Sequence, residues 1–221
     1  MNWFIDFDDT LVLGPNTWAI QTVLPELIEK NKLPSDRERL RSLILHSQRE
    51  GANGAKDVDL LDNLFREMGW PDTLKTNLIE RVFGQYTPVL FEDVLPFLKR
   101  MKADGQSLNI LSNNNRAMQI AEMLGLSSYF DHIFTPKKFG LDRGKPHTEI
   151  WTYVAQACDV QGATLVGDDP WSDSAFADAC GIRCFIVDRL NRLDTVIGSF
   201  RLVHTLDEIQ VPALGTDYKA R

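Results

Sequence analysis

The stretch Trp3-Phe4-Ile5-Asp6-Phe7-Asp8-Asp9-Thr10-Leu11 constrains this chain more than any other. It opens as a short apolar run without polar alternation, the pattern of a strand buried on both faces in a parallel sheet. Acids then arrive at alternate positions, at what would be the strand's carboxyl end, where open α/β sheets bind ligands. Asp6 and Asp8 would share one side of an extended backbone, with Asp9 pointing away. Two carboxylates that close repel by about 1 kcal/mol in water and several-fold more in a partly dry site. A cation, a shared proton or a nearby lysine should therefore accompany them. An Asp at a strand end also commonly caps a following helix, so this stretch alone leaves both uses open.

The next convincing strand is Leu108-Asn109-Ile110-Leu111. A single parallel crossover needs far fewer residues than separate the two, so an inserted unit is implied. The intervening sequence is helical in pattern. Ile20, Val23, Leu24, Leu27 and Ile28 share a face, in a segment that Pro25 should kink or split. Ser35 with Glu38 predicts a capping box ahead of Leu40, Leu43 and Ile44. Residues 51–55 read as a flexible Gly/Ala/Asn loop. Val58, Leu61, Leu64, Phe65 and Met68 form a further stripe that Gly69 stops. Asp72 is placed to cap the helix carrying Leu74, Leu78, Ile79 and Val82. The expected organisation is a helical insertion at 15–85 within a domain made of 1–14 and 86–221.

Beyond the insertion, helices alternate with strands. Helical stripes at Val94–Met101, Met118–Leu124, 148–158 and 172–180 separate strand patterns at 108–111, 133–135, 164–166 and 184–187. This alternation predicts an α/β fold, a Rossmann-like parallel sheet wrapped by helices on both faces. Residues 215–221 read as a frayed end. With 43% hydrophobic residues among 221, the chain has ample material for a packed core. Its net charge of −7 gives no general attraction to nucleic acid or anionic membrane. No apolar run is long enough to span a bilayer, and no basic-then-apolar leader is present. Cys158, Cys180 and Cys184 lack metal or redox spacing and read as buried free thiols of a reducing cytosol. A cytoplasmic protein with neither nucleic-acid nor membrane partners is expected, and nothing here sets its oligomeric state.

Three more strand ends carry polar chemistry. Strand 108–111 runs into Ser112-Asn113-Asn114-Asn115, a hydroxyl and successive backbone N–H groups that suit an anion or, equally, an ordinary capping loop. Lys145 follows a polar loop and is able to neutralise carboxylates and phosphate together, although most single lysines are simply solvated. Strand 164–166 runs into Gly167-Asp168-Asp169-Pro170-Trp171-Ser172-Asp173, whose clustered acids suit a hard cation. Asp169 or Asp173 is also placed to cap the next helix.

In this order, Asp-x-Asp-x-Thr, Ser-Asn, Lys and Gly-Asp-Asp at successive strand ends resemble the haloacid dehalogenase (HAD) superfamily of aspartate-nucleophile hydrolases, over nearly the whole chain. An insertion directly after the first motif is similar to that superfamily's helical cap. The resemblance implies a magnesium-dependent phosphatase that hydrolyses a small phosphorylated metabolite. By resemblance Asp6 matches the nucleophile and Asp8 the general acid/base. Lys145 matches the lysine that orients nucleophile and phosphate, with Lys137 and Lys138 as weaker candidates. On the substrate-binding side, Thr10 matches a residue that holds the loop, and Ser112 with the Asn113 backbone the phosphate-binding position. Magnesium would be held by Asp6, the Asp8 carbonyl and Asp168, with Asp173 or Asp169 as supporting acid. Asp9 stands where glycine is frequent.

Other readings compete. A dehalogenase would not need Asp8 or magnesium. A phosphosugar mutase shares the layout, and a non-catalytic phospho-acceptor module similar to receiver domains, or a retired enzyme that only binds, would use similar groups. In capped members the insertion selects the leaving group, and His46, Arg49 and Lys56 flank the Gly/Ala loop within it.

Overall fold

A computed structural model describes residues 1–54, 57–193 and 198–211, with side chains of 57–59 not included. Residues 1–12 and 90–221 make one compact unit, and 13–89 make a second. Lys56 and the stretch 215–221 lie outside the described residues.

The first unit is built on a sheet of β1 (Asn2–Ile5), β2 (Ser107–Leu111), β3 (His132–Phe134), β4 (Thr164–Gly167), β5 (Arg183–Val187) and β6 (Phe200–Val203). All pairs are parallel, in the order β3-β2-β1-β4-β5-β6. This is the expected Rossmann-like α/β sheet. Alternation along each strand divides the core in two. Trp3, Ile5, Leu108, Ile110, Val166 and Phe185 enter one cluster with Val94, Phe97, Leu98 and Met101 of the helix Val94–Ala103. Phe4, Leu111, Leu165 and Ile186 enter the other with Ile150 and Val154 of the helix Glu149–Ala157. Both faces of β1 are therefore dry, which is why its sequence shows no polar alternation.

Register places the chemistry. Ile5 pairs with Ile110 on one side and Val166 on the other. Asp6 is thus level with Leu111 and Gly167, and the residues that follow them, Ser112 and Asp168, emerge at the same edge. The chain steps outward from β1 to β2 and β3 and then returns to β4 on the other side of β1, so this edge is a topological switch point. β6 went unpredicted because Phe200-Arg201-Leu202-Val203 is a short edge strand with a charge inside it, a pattern that resembles a loop.

The second unit is helical. Pro15–Trp18, a π-helical turn Ala19–Val23 and Leu24–Asn31 run in succession, and the wide turn ends two residues before Pro25. A proline cannot donate to the preceding turn, so the interruption falls where the sequence requires it. Three longer helices follow, Arg37–Ala52, Asp57–Met68 and Asp72–Gln85. Their common core holds Val23, Leu24, Leu27, Leu64, Phe65, Trp70 and Leu78. The Trp70 indole donates to the Pro34 carbonyl at 2.9 Å. Three local expectations need correction. The helix from Arg37 is capped by Asp36, whose carboxylate accepts from the Arg39 N–H at 3.1 Å, instead of by a Ser35–Glu38 box. It also runs through Gly51 and Ala52, where a loop was expected. Pro71, not Asp72, is the cap of the last helix, and Asp72 lies in its first turn, where its charge favours the helix dipole.

Candidate functional site

After β1 the chain turns tightly. The Leu11 and Val12 N–H groups both donate to the Phe7 carbonyl, at 2.9 and 3.1 Å, and the Asp9 N–H donates to the Val12 carbonyl at 2.6 Å. The turn requires a left-handed residue at Asp9, φ +57°. Aspartate tolerates that region better than most side chains, which explains how it stands where glycine would be easier. Thr10 is fully buried, and its carbonyl accepts from Arg189 at 2.8 Å. Thr10 therefore belongs to the loop's interior, and its hydroxyl is buried without a partner among the described residues.

Lys145 is the centre of the site. Its ammonium is buried, 2.8 Å from Asp6 Oδ1 and in contact with Asp173 Oδ1. Asp173 Oδ2 in turn accepts the N–H groups of Asp168 and Asp169, both at 3.1 Å. One carboxylate thus fixes both the lysine and the loop that carries Asp168. A side chain at Gly167 would overlap the Asp173 carboxylate, so only glycine fits at the end of β4. Asp169 does something else: its Oδ1 accepts from Trp171 and Ser172 N–H, at 2.8 and 3.3 Å, and caps the following turn. Of the two acids left open by the sequence, Asp173 is the one that supports Lys145.

The backbone of Lys145 is held by Asn113, whose amide accepts from the Lys145 N–H and donates to its carbonyl, both at 2.8 Å. A Cβ on Gly144 would collide with that amide. The exposed Asn113 thus serves through its side chain as well as through its position after β2. Buried Ser112 accepts the Asn114 N–H at 3.1 Å. Lys137 and Lys138 are exposed, and the Lys138 ammonium bonds the Ile133 carbonyl at 2.9 Å, so neither takes the place of Lys145.

Sequence reasoning passed over two side chains. Asn114 donates to Asp8 Oδ2 at 2.9 Å, while Asp8 Oδ1 is buried without a partner among the described residues. Arg192 lies 2.9 Å from Asp168 Oδ2. It follows the polar run Asp188-Arg189-Leu190-Asn191 at the end of β5, so the strand-end rule that marked the other stretches applied here too. His46 and Arg49 are exposed on the helix Arg37–Ala52 of the second unit.

The electrostatics follow from crowding. Burial pushes Asp6 up to about 7, with the charges of Asp173 and Asp8 adding to it and Lys145 opposing. Burial likewise lifts Asp8 to about 6, against the Asn114 hydrogen bond. Asp168 is held well above its usual range by burial and by Asp9, Asp173 and Asp6, with Arg192 opposing. Burial disfavours the charged form of Lys145, but Asp173 and Asp6 outweigh it and keep the ammonium charged. Carboxylates of Asp6, Asp168 and Asp173 offer oxygens within 4.8 Å of one another. Such an all-oxygen set, short of positive charge, fits a hard divalent cation. Since Asp173 is already engaged on both oxygens, Asp6 and Asp168 are the carboxylates able to face one.

Comparison with known proteins gives a consistent picture. The family model described as "haloacid dehalogenase-like hydrolase" matches residues 4–181. A ribulose-1,5-bisphosphate 5-phosphatase of Halopiger xanaduensis is 30% identical over 103 residues, a segment covering 45% of this chain and 42% of that protein. The chain therefore aligns with under half the length of this relative. A HAD family hydrolase from Deinococcus radiodurans, solved with phosphate and sodium, superposes with a TM-score of 0.66 at 20% identity, covering 94% of this chain and 92% of that one. The magnesium-bound HAD-hydrolase YfnB of Bacillus subtilis gives 0.63 at 16% identity, covering 94% and 95%. Among the described residues no helix is long and apolar enough to cross a membrane.

The crowding makes a prediction about stability. Asp6 and Asp8 hold protons in the folded state that the unfolded chain releases at its ordinary value of 3.8. The folded state thus binds more protons between about pH 4 and pH 7, and stability must fall as pH rises through that window. In chelator, the melting temperature should decline across it, and Asp6→Asn should flatten the decline. An equally steep decline in the variant would show that Asp6 is not a strained carboxylate.

Proposed function

The chain belongs to the haloacid dehalogenase-like hydrolases, and on that premise we propose that it is a phosphatase acting on a small phosphomonoester through an aspartyl phosphate at Asp6. The observation that carries this reading is the pairing of a carboxylate held by a buried lysine, Asp6 with Lys145, and a second carboxylate two residues on, Asp8, engaged by Asn114. A nucleophile alone would serve dehalogenation. An acid/base beside it is what an ester with a basic leaving group requires. The activity for which the Halopiger relative is named, removal of a phosphate from a phosphorylated sugar, supports a phosphomonoester.

In this reading Asp6 attacks phosphorus in line and the ester oxygen departs. Lys145 orients the Asp6 carboxylate and, with Ser112 and the Asn113 backbone N–H, faces the phosphoryl oxygens. Asp8 gives its proton to the departing alkoxide, then takes one from the water that hydrolyses the aspartyl phosphate. Its raised value suits a group that must carry a proton near neutrality. Asp173 keeps Lys145 and the Asp168 loop in place. Magnesium fits the oxygens of Asp6 and Asp168 with the Asp8 carbonyl, and when bound it would neutralise charge on the transferring phosphoryl group. The helical unit is read as the cap inserted after the first motif.

A panel of small phosphomonoesters, assayed for free phosphate, tests the proposal. Release should require magnesium, stop after exhaustive chelation, and be lost in a folded Asp6→Asn variant. Release by that variant at near wild-type rate would remove Asp6 as nucleophile.

The role of Asp8 has its own signature. An alkyl ester leaves as a strongly basic alkoxide, whereas an aryl ester leaves as a stabilised phenolate that needs a proton less. General acid catalysis is worth about 10²–10⁴-fold, so in single turnover Asp8→Asn should slow the alkyl ester far more than the aryl ester. The aryl ester should also give a burst of phenol as phosphoenzyme accumulates. Equal slowing of both esters without a burst would make Asp8 a structural residue.

A further inference from the structure

Arg192 has no part in the chemistry described above, yet its guanidinium is inside the site. It is largely buried, with Nη2 2.9 Å from Asp168 Oδ2 and Nε 3.8 Å from Asp188 Oδ1. Asp188 is itself buried and fixed by the turn it begins, accepting the Arg192 N–H at 2.9 Å and the Leu193 N–H at 2.8 Å. The arginine is thus anchored at its own backbone and paired with Asp168 through its guanidinium. Burial opposes its charge, and Asp168, Asp9 and Asp188 more than offset that opposition, so the guanidinium stays protonated.

Charge balance gives this contact its meaning. Asp6, Asp8, Asp9, Asp168, Asp169 and Asp173 converge on one end of the sheet, and Lys145 is committed to Asp6 and Asp173. Arg192 supplies the positive charge that Asp168 otherwise lacks. A divalent cation facing Asp168 meets a carboxylate already sharing its charge with a guanidinium, and like charges at close range in a partly dry site repel strongly.

We propose that Arg192 is a resident counter-ion of Asp168, a positioning residue that stabilises the acidic cluster without metal and weakens the binding of a divalent cation there. The inference rests on the reading of Asp168 as a metal ligand. It has a consequence for binding: the resident arginine raises the magnesium concentration at which the site fills.

Calorimetric titration of magnesium chloride into the metal-free full chain tests the inference, alongside melting curves in chelator. Arg192→Gln should bind magnesium about tenfold more tightly, the loss of one nearby positive charge, and should melt at a lower temperature when metal-free. Arg192→Lys keeps the charge and should stay near wild type in both measurements. Arg192→Met, which keeps much of the stem, replaces the glutamine variant if that fails to fold. Unchanged or weaker magnesium binding in the neutral variants, or an undiminished metal-free melting temperature, would overturn the counter-ion role while leaving the metal reading intact. Absence of magnesium binding by the wild-type chain, unaltered in Asp168→Asn, would overturn the metal reading itself and this inference with it.

Discussion

Everything at the carboxyl edge of this sheet depends on one buried ammonium. Lys145 lies between Asp6 and Asp173, with almost no access to water. Desolvating such a group is costly, and the cost is offset only because both partners are close and the group and its partners are held in place. Asp173 meets that condition through two backbone N–H groups, and in doing so fixes the loop bearing Asp168. The side chain of Asn113 meets it from the other side by gripping the Lys145 backbone. Two glycines, Gly144 and Gly167, are required because the gripping groups come too close for any side chain. Removing the lysine would leave buried acids with no adequate counter-charge, so the ion pair is a structural constraint before it is a catalytic one.

The fold converts this local arrangement into a site by register alone. β1 is flanked by β2 and β4 with Ile5 opposite Ile110 and Val166, so three strand ends reach the same level. Asp6 therefore needs no long loop to meet Lys145 or Asp168. The tight turn from Phe7 to Val12 then brings Asp8 back beside the same edge, with Asn114 reaching across from the end of β2. A carboxylate held by a buried lysine, a second carboxylate two residues on and a set of oxygens that fits a cation follow from a few ångströms of backbone geometry.

Much of this was legible in the sequence because strand-end chemistry is local. The apolar run before Asp6, the Ser-Asn pair and the Gly-Asp-Asp run each show a strand ending in polar groups, and the structure brings these groups together. What could not be read was pairing between distant side chains. Nothing in the spacing separates the cap Asp169 from the support Asp173, since both are acids near the start of the same turn. Nor does it show that the Asn113 amide holds a backbone 32 residues away. Arg192 is less legible for a different reason: it lies five residues beyond β5, a strand whose pattern shows only core. In the helical unit, the one-residue differences at Asp36 and Pro71 reflect rival capping groups side by side, which propensity alone does not rank.

The account stands or falls on a covalent bond at Asp6. Rapid acid quenching during turnover of a phosphomonoester, followed by digestion and mass spectrometry, would locate any phosphoryl group on the chain. The expected result is a base-labile phosphoryl group on the peptide containing Asp6, more abundant in Asp8→Asn, where hydrolysis of the intermediate is slowed. Active turnover with no phosphorylated peptide in either protein, or with the label on a peptide lacking Asp6, would contradict it.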